Sequence, residues 1–477
     1  MTGRLVLVLA ALLVSPPALS ARTWHINPDG TGDAPTIQAG IDSAAVGDTV
    51  ALSAGEFHEV DLEIPSGMTI LGVTEQTVLD QGLAGSGFSA TGVPFLTLQG
   101  LIVRNADRFG ASITGETETA TLVVRDCVFE GTQGNGLRFD NIQGAVDRCT
   151  FRDNVAGGGA GIWAGQSGAT ALIESSLFTG NTAAGGAGAG IFGGSVVVRD
   201  CVFRDNVGRY GVAAWGFDLR LHGSVFENNQ MGFVGQGGAA RGVDYLFVDE
   251  CWFLNNGGLC EGSTGGALRA SGVGEIHDSV FYGNFAVNGS AIYSLGPITV
   301  SGCLFQENTA GSDVAPCSGN GAIYLNGRSG SRLIRQSTFI GNLGRNISGV
   351  ASQDEAPVEV DRCVFHAGRG LAIGWVSPQA RCPQVACTNS FGNVDRFGNN
   401  ADWIGCVSGQ SSINGNFSAD PLLCDADAGD YHLQWGSPCL PANSPEGCGL
   451  IGAFGFGGCN SVSVTPESWA RVKARYR

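Results

Sequence analysis

Apolar and polar positions along this chain alternate in short runs, and the runs recur. A phenylalanine preceded two residues earlier by Cys or Ser and followed three residues later by Asn occurs eight times, at Phe151, Phe178, Phe203, Phe226, Phe253, Phe281, Phe305 and Phe339. Phe129 and Phe365 keep the Cys without the Asn, and Phe391 reads as a degraded copy. Between these positions lies a second signal, a run of small residues, one apolar residue, then a larger one. Examples are Gly159-Ala-Gly-Ile162-Trp163, Gly188-Ala-Gly-Ile191-Phe192 and Gly289-Ser-Ala-Ile292-Tyr293. The interval between Phe positions runs from 22 (Phe129 to Phe151) to 34 (Phe305 to Phe339). That is too short for a strand–helix unit and long enough for three short strands with three turns. The period of two turns Phe, its Cys or Ser neighbour and the Ile or Leu after the Gly run inward. One coil cannot bury that face alone, so the coils must stack into a solenoid.

The paired Gly-Gly-Ala-Leu/Ile and Phe-x-x-Asn signatures resemble the repeats of polymorphic outer-membrane proteins and of pectin-lyase-like right-handed β-helices, over roughly Arg22 to Cys459. The resemblance implies an all-β, right-handed, single-stranded parallel β-helix. It implies little about activity, because that fold carries lyases, hydrolases and adhesins alike. A short helix over Pro35–Asp42 is expected to cap the first coil, and Val103 to fill the Phe slot of an early one. A Cys-rich segment is expected to close the far end. The organisation read this way is a signal peptide over 1–21, cap and first coils over 22–80, repeats over 81–395, closure over 396–460, and a tail over 461–477 with a short basic helix at Ser468–Tyr476.

Composition narrows this further. With 76 Gly, 14% charged and 43% apolar residues, the chain is neither collagen-like nor disordered. Arg4, the apolar run Leu5–Val14 and the small residues Ala18 to Ser20 read as a secretory leader, too short to span a bilayer. The expected location is therefore outside the cell or at its surface, with no membrane span and a monomeric state. A net charge of −17 makes nucleic acid a poor partner. Fifteen cysteines split into two groups. Cys127, Cys149, Cys201, Cys251, Cys303 and Cys363 share the slot that Ser176, Ser224, Ser279 and Ser337 also fill, so they read as small, unpaired interior residues. Cys260, Cys317, Cys382, Cys387, Cys406, Cys424, Cys439, Cys448 and Cys459 lie in loops or the closing segment, where disulfides are expected and an odd count leaves at least one thiol free.

Candidate chemistry is sparse. The only lysine is Lys473, so no lyase mechanism with a Lys base fits the solenoid. The polygalacturonase-like Asn-Thr-Asp, Asp-Asp and Arg-Ile-Lys sets are missing, and the six histidines show no metal-ligand spacing. Asp126, Asp147, Asp200, Asp249, Glu250, Asp278 and Asp361 recur just before the Phe slot but shift by one position, which suits solvated turns. Asp425, Asp427 and Asp430 have oxygen ligands at a spacing calcium accepts, and a turn explains them equally well; no other cofactor is indicated. The most informative pattern is the residue directly after the inward apolar position: Arg138, Trp163, Phe192, Trp215, Arg241, Arg269, Tyr293 and Tyr324. Stacked coils would line these up as a stripe suited to an extended glycan, with rings against sugar faces and guanidinium groups against carboxylates or sulfates. Outward aromatics that merely stack on one another would look the same. The expectation is a non-catalytic, carbohydrate- or surface-polymer-binding or adhesin-like protein. The alternative is a polysaccharide lyase or glycoside hydrolase acting on acidic polysaccharide, with its groove at the long intervals Phe253–Phe281 and Phe305–Phe339.

Overall fold

The computed structural model describes residues 21–165, 169–258, 262–311, 319–327, 330–353, 355–377 and 379–459. The leader, Cys260, Cys317, Lys473 and the Ser468–Tyr476 helix lie outside these. The chain winds as a right-handed parallel solenoid. Its third face is a 14-stranded parallel sheet with one strand per coil, from Gly55–Phe57 to Asn389–Phe391, and the other two faces merge into a 32-stranded ladder.

The Phe slot is a continuous register, in which Val103 pairs Phe129, Phe129 pairs Phe151, and the match continues to Phe365. The ten rings lie nearly parallel, with neighbouring centroids 4.5–5.2 Å apart from Phe129–Phe151 to Phe339–Phe365. Each ring is at most 2% exposed. Burying each contributes about 1.5–3 kcal/mol, and each neighbouring pair about 0.5–1.5 kcal/mol more. Phe391 does not continue the column. Ser390 pairs Phe365 in that slot, while Phe391 pairs His366 one position further on and stacks on its ring. The Ser390 hydroxyl instead donates to Asp402 Oδ1 at 3.1 Å, where the coil meets the closing segment.

Two residues in the left-handed region bracket the third face of each central coil. One precedes the Cys/Ser slot (Asp126 at φ 54°, Asp200 at 51°, Glu250 at 52°) and the other precedes the Asn (Asp153 at 56°, Asn228 at 55°). Such single left-handed residues make the sharp corners that three-strand coils need, at positions where Asp, Asn and Gly are least strained. The recurring acids therefore occupy corners or the strand end just before them, which accounts for their one-residue shift. Several are ion-paired across coils, as Arg148 is with Asp126 at 2.7 Å. Inside the second corner, buried Asn154, Asn181, Asn206, Asn229, Asn256, Asn284, Asn308 and Asn342 form a ladder. The Nδ2 of each of the first seven donates to the next Oδ1, and every Nδ2 also donates to a Phe carbonyl. The Cys/Ser slot is a parallel device. Cys149, Cys201, Cys251 and Cys303 donate their backbone N–H groups to Ser176, Ser224, Ser279 and Ser337 hydroxyls at 3.0–3.3 Å. All six slot cysteines are unpaired and buried.

At the start, a helix over Ile37–Ser43, with Thr36 accepting from Ala39 N–H as its cap, lays Ile37 and Ile41 on the first coil. Gly40 lets it approach closely, since a Cβ there would sit 2.7 Å from Ile26. At the far end, Cys382–Cys406, Cys387–Cys448 and Cys424–Cys459 are disulfide-bonded, and Cys439 is the buried free thiol. The closing segment then turns back along the outside of the third face. Tyr431 packs with Leu304 and Ile340, and Ala453 N–H donates to Thr338 Oγ1 at 2.9 Å. No described helix is long and apolar enough to cross a membrane.

Candidate functional site

The eight residues of the stripe share one ladder. Arg138 pairs Trp163, Trp163 pairs Phe192, and the pairing continues through Trp215, Arg241, Arg269 and Tyr293 to Tyr324. Each follows a fully buried inward residue, from Leu137 and Ile162 to Ile292 and Ile323, so strand alternation turns it outward.

Along its length the ladder changes character. Trp163, Phe192 and Trp215 are partly exposed and stack nearly parallel, with centroids 6.4 Å and 4.5 Å apart and planes within 15° and 9°. Arg138 extends this shelf with its guanidinium carbon 4.3 Å from the Trp163 ring centre. Arg241 and Arg269 follow. Arg241 Nη1 donates to Gln236 Oε1 at 3.0 Å and Arg269 Nη1 to Thr264 Oγ1 at 2.6 Å. Burial lowers the pKa of both, that of Arg269 to about 10, with the neighbouring Arg241 charge adding to the effect. Tyr293 and Tyr324 end the series. They are 7% and 4% exposed, and stack on each other at 5.4 Å. Tyr293 OH accepts from Asn326 Nδ2 at 2.6 Å, and Tyr324 OH donates to Gln353 Oε1. These two rings are bound into the protein, and the shelf proper is the stretch from Arg138 to Trp215.

Beside the shelf runs a groove of about 730 Å³, lined by Glu118, Gln143, Thr170, Ser195, Phe217, Asp218 and Asp244 among others. Gln143, Thr170, Ser195 and Asp218 are successive rungs of one ladder, and Phe217 sits edge-on to Trp215 at 5.0 Å. Asp218 is held by Arg220 at 3.1 Å. The sequence reading missed this groove and looked to the two longest intervals between Phe positions. Its one sequence signal was Phe217, outward two residues after Trp215. Glu118 sits in a turn and Asp244 at a pairing irregularity within the strand Ala240–Asp249, and their approach to one another depends on coil packing.

The aspartates of the closing segment have local duties. Asp425 accepts from Ala428 N–H at 3.0 Å across a hairpin turn, and Asp430 accepts from His432 N–H at 3.1 Å. Among the described residues no three His, Cys, Asp or Glu side chains are grouped to hold a metal ion. Asp425, Asp427 and Asp430 are thus not brought together as calcium ligands.

Residues 135–329 match the family model for a right handed beta helix region. Comparison with curated proteins finds no match. Among solved structures, the chain is similar to the pectate lyase Pel9A at 12% identity, covering 92% of this chain and 98% of that one, with a TM-score of 0.28. It is also similar to the catalytic domain of a GH87 alpha-1,3-glucanase in complex with nigerose, at 13% identity over 75% of this chain and 67% of that one, with a TM-score of 0.26.

Proposed function

We propose that this chain is an extracellular, non-catalytic β-helix that binds a carbohydrate or another surface polymer along Trp163, Phe192 and Trp215. The observation that carries this reading is the shelf itself: three nearly parallel, stacked rings on successive coils, partly open to solvent and bordered by a groove of hydrogen-bonding side chains. Rings so stacked present a continuous strip of apolar edges against which the C–H groups of sugar rings can pack, while Gln143, Thr170 and Ser195 offer partners to hydroxyl groups. Three disulfides suit an oxidising compartment.

A glycan-array screen of the mature chain beside a Trp163→Ala/Trp215→Ala variant tests this. Binding that falls by about tenfold or more in the variant, a loss of about 1.4 kcal/mol, supports the shelf. Equal binding by both, or binding by neither, overturns it.

A second reading, a hydrolase or lyase acting on acidic polysaccharide, draws on the groove, where Glu118, Asp218 and Asp244 supply carboxylates beside the shelf. Release of reducing ends or unsaturated sugars, lost in Glu118→Gln or Asp244→Asn, would favour it over simple binding.

A further inference from the structure

Arg241 and Arg269 are neighbours in one ladder, and among the described residues no acidic side chain answers either charge. Arg269 is only 9% exposed and Arg241 is partly buried. Nine other arginines, among them Arg104, Arg148, Arg152 and Arg220, reach an Asp or Glu. Among the described residues neither Arg241 nor Arg269 does. Each spends Nη1 on a neutral oxygen, Gln236 or Thr264, and the buried Nε of each has no acceptor. Their remaining partners are ring faces, Tyr210 at 5.7 Å from the Arg241 guanidinium carbon and Tyr293 at 4.8 Å from that of Arg269. Burying two like charges side by side without a counter-ion is unfavourable, and water cannot fully solvate either.

We infer that Arg241 and Arg269 together receive one anionic group, a carboxylate or a sulfate, carried by the polymer that lies on the aromatic shelf. This rests on the carbohydrate reading above and specifies the class of glycan. Two guanidinium forks one rung apart suit the oxygens of a single oxoanion, which each can engage through its N–H groups. Gln236 and Thr264, themselves bridged across the two coils, hold the forks in place from one side. Tyr210 and Tyr293 set ring faces against the two guanidinium groups. Trp215 is the rung directly before Arg241, so a sugar packed along the exposed edge of Trp215 would bring its acidic substituent to the pair. The same two charges make an unsubstituted polymer the weaker ligand, because it would cover them without neutralising either.

The test uses the mature full chain, its Arg241→Gln/Arg269→Gln variant and Arg269→Lys. Thermal melting is followed against sodium sulfate, with sodium chloride at equal ionic strength as the reference. The expected result is a saturable rise in the wild-type melting temperature beyond the chloride reference, absent in the double variant and reduced in Arg269→Lys. Retention on dextran sulfate and on dextran is measured in parallel. The wild type should prefer the sulfated polymer by about tenfold or more, and the double variant should hold both alike. A sulfate response of equal size in all three proteins overturns the inference, as does an unchanged preference in the double variant. If the double variant does not fold, an undiminished response in Arg269→Lys overturns it. A sulfate response confined to the wild type with no retention on either polymer supports the anion receptor and defeats the carbohydrate reading on which the polymer was assigned.

Discussion

The side-chain amide of Asn206 donates to Asn229 Oδ1 at 2.9 Å and to the Phe178 carbonyl at 3.1 Å, so one buried NH2 group ties its own coil to a neighbour on each side. Asn229 Oδ1 in turn also accepts from the Asn206 backbone N–H at 3.3 Å. Every polar atom of the rung is used. An Asn here therefore adds side-chain hydrogen bonds between coils to those of the backbone ladder.

Asn229→Asp keeps the shape and removes the donor. It leaves Asn256 Oδ1 and the Phe203 carbonyl without the Asn229 amide and places a carboxylate in a buried column. The expected loss is about 1–3 kcal/mol for each buried group left unpaired, read as a lower urea midpoint. Asn229→Asp as stable as wild type would show that the ladder adds nothing beyond backbone pairing.

The Phe column should respond to truncation at its centre more than at its end. Phe253 has a ring on each side, Phe226 at 4.9 Å and Phe281 at 5.0 Å, whereas Phe365 has Phe339 on one side and Ser390 on the other. Phe253→Ala should cost about 3–5 kcal/mol, and Phe365→Ala less. Circular dichroism melts of the two variants compare them directly, and the reverse order would contradict a stacking contribution.

The interior thiols predict a pH dependence. Burial raises Cys201, Cys251, Cys303 and Cys363 from 9.0 to about 12. Between those values the unfolded chain has lost these protons and the native chain retains them. The stability they contribute is full below pH 9 and declines as pH rises towards 12. A denaturant midpoint that falls over this window checks it, with a Cys→Ser variant at all four positions showing a shallower fall. At neutral pH the same thiols should resist a thiol reagent until denaturant is added, and rapid labelling of the native protein would show the slot to be open.

Reduction should act at one end. The Cys387–Cys448 and Cys424–Cys459 bonds close loops of 61 and 35 residues in the segment that folds back over the third face. Each contributes about 2–4 kcal/mol. Dithiothreitol should therefore expose 424–459 to protease while the coils from Thr23 to Phe391 persist. Simultaneous loss of both would mean that the closing segment holds the whole solenoid.

What this sequence determined by itself was everything that repeats. Phe129 to Phe365, the Cys/Ser slot and the stripe from Arg138 to Tyr324 each recur once per coil, and stacking turns a recurrence in sequence into a column in space. Their register was legible because a shift of one residue would turn an inward Phe to water. Tertiary structure alone decided what differs from coil to coil. Phe391 leaves its column because Ser390 and Asp402 meet there, a contact made only when the closing segment folds. Tyr293 and Tyr324 are covered while Trp163 and Trp215 stay open, since Ile347, Leu295 and Leu371 pack around them and Asn326 and Gln353 engage their hydroxyl groups. The groove of Glu118, Asp218 and Asp244 joins residues from separate coils, and among the described residues no carboxylate reaches the Arg241–Arg269 pair. Periodicity sets which side chains share a face; exposure, pairing and charge balance follow from turns that do not repeat, and those are settled only when the coils pack.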